Sequence, residues 1–431
     1  MNTESNSVRP TRRSFIYTAG GMAAGTVLSQ FALGQTPVGA NDRIGVGFLG
    51  CGGRGSYHAK ELAGMRDRGE AIELVAACDT YRPRMNALAA KQNLKAYWAQ
   101  QELLADANVD VVCIATPDHI HGQQAIDAVH AGKDVYCEKP FTHWRQLELT
   151  KTACDEIGKS DRVFQLGTQG LSDPVWHEMA KFIKDGLIGQ PIHAECGYFR
   201  VGDWGERGMP IDDPNVKPGD NLNWDAFLGD APKRDFDASR YFRWRMYEDY
   251  SGGPVTDLFP HSLTPVVYML NIGVPSQAVG LGGIYRYPER EVPDTFNMLL
   301  DYPEKLTLAV LGTQGNNMQG AHGRGAGGRC PHLRGWDGTL TVMPNRDTKL
   351  DEIVFTPAEG AKKDAVRIRV EGHESVPDHW KNLLDCMRSR EKPHSSIDLA
   401  YRVQTALQMA AHATRNGKTA KYDANARAVV V

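Results

Sequence analysis

Two hydrophobic patterns divide the chain. Up to about residue 166, short apolar runs alternate with stretches rich in Ala, Leu and Lys. The runs at 44–49 (IGVGFL), 72–78 (IELVAAC), 109–115, 134–137 and 162–166 read as strands, and 56–64, 122–131 and 145–158 as the helices between them. Repeated β-α units predict a parallel, doubly wound sheet, with ligands at the carboxyl ends of its strands. Beyond 166 the pattern changes. A helix is predicted over 173–187: Asp173 caps it, Pro174 opens it, and Val175, Trp176, Met179, Phe182, Ile183 and Leu187 share one face. Ile192, Ala194, Cys196 and Tyr198 then alternate with more polar neighbours, as does the chain around 294–301 and 305–311. That is the signature of half-buried antiparallel strands covered by helices on one side. A helix over 397–413, with Leu399, Val403 and Leu407 on one face, reads as structural.

The first strand runs directly into Gly50-Cys51-Gly52-Gly53-Arg54-Gly55 and then into a helix. Strand, GxGxxG, helix is the context a dinucleotide fingerprint requires. Gly50 allows the tight turn, Gly52 lets backbone amides approach a pyrophosphate, and Gly55 lets the helix pack on the strand. Gly53 and Arg54 complete the loop, and free N–H groups at the helix start receive the pyrophosphate. The second strand ends at Asp79, whose carboxylate suits a ribose 2′-OH and favours NAD; Arg82 and Arg84 follow and suit a 2′-phosphate, which leaves NADP open. Two more strand ends carry Thr116-Pro117-Asp118-His119 with His121, and Glu138-Lys139-Pro140. Thr116, Pro117, His121, Glu138 and Lys139 are therefore expected to meet the glycine loop and Asp79 in one cofactor crevice.

With these motifs in hand, the chain resembles the Gfo/Idh/MocA family. The resemblance rests on GCGGRG at 50–55, ATPDHIH at 115–121, VYCEKP at 135–140, GTQ at 167–169 and SGGPVTDLFPH at 251–261, and extends from Ile44 to about Tyr422. It implies a Rossmann domain followed by an α+β domain with an open, mostly antiparallel sheet, whose exposed face makes a homo-oligomer. It also implies NAD or NADP acting on sugars, polyols or their derivatives. Oxidising a secondary alcohol needs a base and a group that stabilises the developing oxyanion. Lys139, Asp257 and His261 are the catalytic candidates. In the resembled enzymes these positions lie over the nicotinamide; Asp257 and His261, spaced i, i+4, share a face if helical. Pro260 and Pro265 flank His261, so a kinked or late-starting helix is expected there, and the general base is open among the three.

Residues 201–250 break the strand pattern and hold three of the eight tryptophans, at 204, 224 and 244. A long aromatic loop in a compact domain suggests function, and Trp faces stack on sugar C–H faces. Gln169, Trp204, Arg243 and Trp244 are the substrate candidates. The eight cysteines form no CxxC pair and read as buried thiols; the Gly-rich stretch 312–338, with His322, Cys330 and His332, matches no zinc spacing, so no metal is expected.

Composition and charge narrow the partners. The chain has 431 residues, 41% hydrophobic and 23% charged, with a formal net charge of −3. It is an ordinary globular composition with no electrostatic reason to bind nucleic acid, and the N-terminal apolar stretch is too interrupted for stable membrane insertion. Arg12-Arg13, an Ala/Gly-rich stretch and Val38-Gly39-Ala40 read, in that order, as a twin-arginine export signal. The expected division is signal and linker at 1–40, nucleotide domain at 41–166 and substrate and oligomer domain at 167–431. Three functional readings stand: an exported oxidoreductase that retains and recycles its cofactor, a redox-neutral glycosidase or lyase using transient oxidation, and a silent cofactor-bearing binding protein.

Overall fold

A computed structural model describes residues 43–202, 209–317, 328–345, 347–348 and 350–431. The export signal expected at 1–40 and Trp204 lie outside the described residues. Six strands, β1 (Ile44–Leu49), β2 (Ile72–Cys78), β3 (Lys95–Tyr97), β4 (Val111–Ile114), β5 (Asp134–Glu138) and β6 (Phe164–Gly167), form one sheet in the order β3-β2-β1-β4-β5-β6. Every pairing in it is parallel. This is the doubly wound Rossmann order. All six residues of β1 and all four of β4 are buried, because helices cover both faces. On one face, Phe48, Cys113 and Tyr136 pack with Leu62 of the helix Gly53–Asp67 and with Trp380 and Leu384 of the helix Val376–Ser389. On the other, Leu49, Val112 and Cys137 meet Ala125 of the helix His121–His130 and Ile157 of the helix Leu147–Lys159.

The second sheet has ten strands: β7 (Pro191–Phe199), β8 (Gln277–Gly283), β9 (Thr295–Tyr302), β10 (Leu306–Thr313), β11 (Gly328–Gly335), β12 (Gly338–Pro344), β13 (Asp351–Pro357), β14 (Val366–Arg369), β15 (Ala420–Asp423) and β16 (Ala428–Val430). Their order is β14-β13-β12-β11-β7-β10-β9-β8-β15-β16. It is antiparallel except where β10 runs parallel to β7. Alternation sends Ala194, Cys196, Phe296, Met298, Leu308 and Val310 inward, onto the helices Pro174–Lys184, Phe259–Leu270 and Ile397–Asn416. The opposite face carries Val279, Leu281 and Leu299, the latter two 80% and 54% exposed.

Asp173 caps the helix after it, accepting from the Val175 N–H at 3.1 Å. The stretch 209–250 is more ordered than the loop expected there. It holds the short helices Trp224–Leu228 and Ala238–Phe242 and a small core in which Trp224, Phe227, Tyr241 and Trp244 pack around Tyr81 of the nucleotide half. A bridge between Tyr81 and Leu222, and hydrogen bonds from Asn223 N–H to the Thr80 carbonyl (2.8 Å) and from Arg82 N–H to the Asn221 carbonyl (2.9 Å), fasten it over the end of β2. Cys51, Cys78, Cys113, Cys137, Cys154, Cys196 and Cys386 are buried free thiols, as their apolar surroundings imply.

Candidate active site

The glycine loop has the shape its spacing predicts. Gly50 sits at φ +90°, where a side chain is strained, and a Cβ there would meet the Ala115 carbonyl oxygen at 2.7 Å. A Cβ on Gly55 would lie 1.9 Å from the Gly50 oxygen, so only glycine lets the helix cross β1 this closely, whereas one on Gly53 would meet nothing within 4 Å. No side chain caps the helix Gly53–Asp67, which leaves its first N–H groups for an anion. A cavity of about 600 Å³ opens here, lined by Gly50, Gly52, Gly53, Arg54, Asp79, Thr116 and Pro117. Asp79 accepts from the Cys51 N–H (2.6 Å) and the Tyr81 N–H (2.8 Å), which pins the loop to the end of β2. Burial pushes its carboxyl up from the ordinary value, and its remaining lone pairs are free for a ribose hydroxyl. A glycine cradle, an uncapped helix start and a carboxylate at the end of β2 fit a dinucleotide.

Lys139 follows β5 at the same edge of the sheet. Its Nζ donates to the Asp257 carbonyl oxygen (2.6 Å) and to Asp257 Oδ1 (2.7 Å). Arg245 Nε lies 3.4 Å from Oδ1 and Arg200 Nη2 3.9 Å from Oδ2. Burial works against the Asp257 carboxylate, but Lys139, Arg245 and Arg200 hold it well below the usual carboxylate range. His261 comes one turn later. Burial, and then the charge of Lys139, push its imidazole down to about 3, so the ring is neutral near pH 7. The helix breaks at Leu258, between Pro254–Asp257 and Phe259–Leu270, in keeping with the kinked or late-starting helix expected at Pro260. Asp257 therefore serves Lys139 rather than the imidazole.

Glu138, Lys139's neighbour, turns inward. It accepts from Arg54 Nε (2.7 Å) and His58 Nε2 (2.8 Å), and although burial opposes, Arg54 and His58 hold its carboxyl well below the ordinary range. Trp380 Nε1–H donates to His58 Nδ1 at 3.0 Å, so His58 carries its proton on Nε2 and donates it to Glu138. Gln169 is brought in through Arg54, whose Nη2 donates to its Oε1 at 3.4 Å. His121 is a brace: its ring nitrogens face the Pro140 and Thr116 carbonyls, both at 2.7 Å, and leave none for a cofactor. Trp244 lines the cavity, with the Arg245 guanidinium 4.1 Å above its ring; Arg243 instead donates to the Met209 carbonyl at 3.0 Å. Arg200, Arg245, His58 and Trp380 do not stand out from sequence. Only Arg245 carries a signal, its adjacency to Trp244. Asp118 is a further residue without a role legible in sequence: it is buried, its Oδ2 has no hydrogen-bond partner, and burial, opposed by Arg245, pushes it up to about 8.

Comparison with known proteins defines the class. Residues 44–167 match the model of the GFO/IDH/MocA oxidoreductase family, NAD-binding Rossmann fold, and residues 173–277 match that family's C-terminal alpha/beta domain. The chain belongs to the Gfo/Idh/MocA oxidoreductase family. It is 32% identical over 153 residues to "Inositol 2-dehydrogenase 1" of Saccharopolyspora erythraea, which covers 36% of this chain and 45% of that protein. It is 26% identical over 224 residues to "Alpha-N-acetylgalactosaminidase" of Shewanella oneidensis, covering 45% and 47% of the two chains. The chain thus spans less than half the length of these curated relatives. The WlbA dehydrogenase of Bordetella pertussis, solved with NADH and UDP-GlcNAcA, shares the fold at a TM-score of 0.63 and 18% identity over 88% of this chain and 99% of that one.

Proposed function

We propose that this protein is an NAD-dependent oxidoreductase that oxidises a secondary alcohol of a sugar, polyol or sugar derivative, holding and recycling its cofactor in place. The observation that carries this reading is Lys139, anchored by two hydrogen bonds to Asp257 at the strand end beside the dinucleotide cleft. A nicotinamide held in that cleft by the glycine loop and Asp79 would supply hydride transfer. An ammonium has three donors; Asp257 occupies two, and the third is left to orient a substrate hydroxyl and to meet the charge that develops on its oxygen. The neutral His261 ring offers a lone pair that can orient the hydroxyl proton, while burial and the charge of Lys139 oppose its holding that proton as an imidazolium. Arg245 and Arg200 keep Asp257 ionised, so Lys139 stays held while the proton moves.

The inositol dehydrogenase likeness supports a polyol or sugar as substrate. The order of Arg12-Arg13, apolar stretch and small residues supports twin-arginine export to the cell envelope, where free NAD is scarce and retention is useful. The apolar outer face of the ten-stranded sheet supports a homo-oligomer through that sheet. The test is to denature the purified protein, identify the released nucleotide by mass spectrometry, and screen sugars and polyols for reduction of bound nucleotide. Release of NAD with reduction by at least one sugar or polyol is expected; a protein that carries and takes up no nucleotide sinks the proposal.

A second reading is favoured by the likeness to a glycosidase. Oxidising one sugar carbon acidifies the neighbouring C–H, so a glycosidic substituent can be eliminated, water added and the hydride returned. Aryl-glycoside cleavage without net NADH, with solvent deuterium appearing at the acidified carbon, would select this reading over the first.

A further inference from the structure

Two arginines follow Asp79, and the structure commits both of them. The Arg82 guanidinium lies 4.0 Å from the centre of the Trp98 ring, and its Nε donates to the Asp220 carbonyl at 2.5 Å. Arg84 is gripped by Asp212 from the segment 209–250: Nε donates to Oδ2 at 2.6 Å and Nη2 to Oδ1 at 2.9 Å. That is the two-pronged geometry in which a guanidinium binds a carboxylate most firmly, and the same prongs would otherwise fit a phosphate. The Phe242 ring, 5.0 Å away, seats the guanidinium.

This pair stands at the nucleotide. Arg84 lines the dinucleotide cavity, and a Cβ on Gly52 would lie 3.5 Å from its Nη1. Together with Asp212 it also lines a neighbouring cavity of about 530 Å³ around Gly52 and Gly53. Asp79 senses both partners, Arg84 drawing its carboxyl down and Asp212 pushing it up. A 2′-phosphate placed next to Asp79 would thus face two carboxylates and an arginine whose fork is already filled.

We infer that Asp212 is a cofactor-specificity residue: by gripping Arg84 it withholds a guanidinium that lines the cavity beside Asp79 and would suit a 2′-phosphate, and so makes the cleft select NAD over NADP. The inference rests on the dinucleotide reading of the cleft. It assigns selectivity to a residue 128 positions along the chain from the arginine it controls.

The test uses the full-length protein and its Asp212→Asn variant. Asparagine keeps the shape and a hydrogen-bond acceptor but removes the charge. Each is incubated with an equimolar excess of isotope-labelled NAD+ and NADP+ until exchange with the retained nucleotide is complete, freed of unbound nucleotide and denatured, and the two labelled nucleotides are quantified by mass spectrometry. In Asp212→Asn the NADP-to-NAD ratio is expected to rise about tenfold, the scale of one charge-assisted hydrogen bond to the added phosphate. Adding Arg84→Gln should bring the ratio back. Circular dichroism checks folding, and Asp212→Ala serves in place of the amide variant if that one does not fold. An unchanged ratio in a folded variant, or equal loss of both nucleotides, overturns the inference while leaving the cleft reading intact. Wild-type protein that binds neither nucleotide overturns both.

Discussion

In the proposed reaction, the position of Lys139 rests on two hydrogen bonds to Asp257. Lys139→Ala should leave the nucleotide content unchanged and lower turnover by about 10²–10³-fold, the scale of losing one donor to a developing oxyanion; nucleotide analysis beside single-turnover kinetics checks both halves. His261 makes a claim about pH. Its imidazole, pushed down to about 3, stays neutral throughout the range in which an ordinary histidine gains its proton. The acid limb of kcat/KM should therefore not fall near 6.5 on account of this residue, and a limb at that pH that disappears in His261→Gln would contradict the assignment. The glycines offer a contrast within one loop. Gly53→Ala projects a methyl into open cleft and should weaken nucleotide binding while leaving the unfolding midpoint near that of the wild type. Gly55→Ala meets the Gly50 oxygen at 1.9 Å and should lower the midpoint itself. Paired equilibrium unfolding and nucleotide titration separate the two. Gly50, Gly55, Asp79 and Lys139 are readable from sequence because backbone geometry and strand ends dictate them. The occupation of His121 by two carbonyls is not, because hydrogen-bond partners are set by where other segments arrive.

At the scale of elements, the helix Val376–Ser389 is the largest thing the hydrophobic pattern does not assign to the nucleotide half. Its Val376, Trp380, Leu383, Leu384 and Met387 do recur at helical spacing, but the spacing says nothing about which sheet receives them. They pack on the Rossmann sheet, and Trp380 stacks on Tyr136 with ring centres 4.3 Å apart. Trp380→Ala should cost about 3–5 kcal/mol, as truncating a buried tryptophan does, and should also release the hydrogen bond that fixes the His58 proton. Urea denaturation measures the first; a weakened NAD affinity that Trp380→Phe shares without the same loss of stability would report the second. The break at Leu258 has a local cause. Pro260 lacks an N–H and sits at the start of the helix Phe259–Leu270, so the preceding turn ends before it. The flanking prolines are visible in the sequence, but the handover of Asp257 to Lys139 requires the approach of β5.

Across the whole molecule, buried neutral histidines set the response to acid. Burial pushes His119 and His379 down to about 4 and His261 to about 3, and shifts His58, His121 and His143 in the same direction. Between about pH 6.5 and 4 the unfolded chain binds protons that the folded chain refuses, so stability falls as pH drops, by up to about 1.4 kcal/mol per pH unit for each such group. Asp118, raised to about 8, and Asp79 act in the opposite sense, because the folded state holds their protons to higher pH; among the described residues the histidines outnumber them. The urea midpoint should therefore be lower at pH 5 than at pH 7. On the outer face of the ten-stranded sheet, a Leu281→Glu/Leu299→Glu pair should lower the mass read by light scattering, if the proposed homo-oligomer forms through that face, while sparing the monomer fold, since both side chains already point away from the core.

Local pattern was enough for the five strands read at 44–49, 72–78, 109–115, 134–137 and 162–166, their parallel direction, the glycine cradle and the lysine at a strand end. These follow from periodicity and from the few residues a tight turn or a close backbone approach tolerates, which are properties of neighbours along the chain. That Asp257 holds Lys139, that Trp380 sets the proton on His58 and that Asp212 closes on Arg84 comes from the folded chain. Each of these unites side chains far apart along the chain, and which charge meets which is settled by the packing of whole elements, to which local spacing is blind.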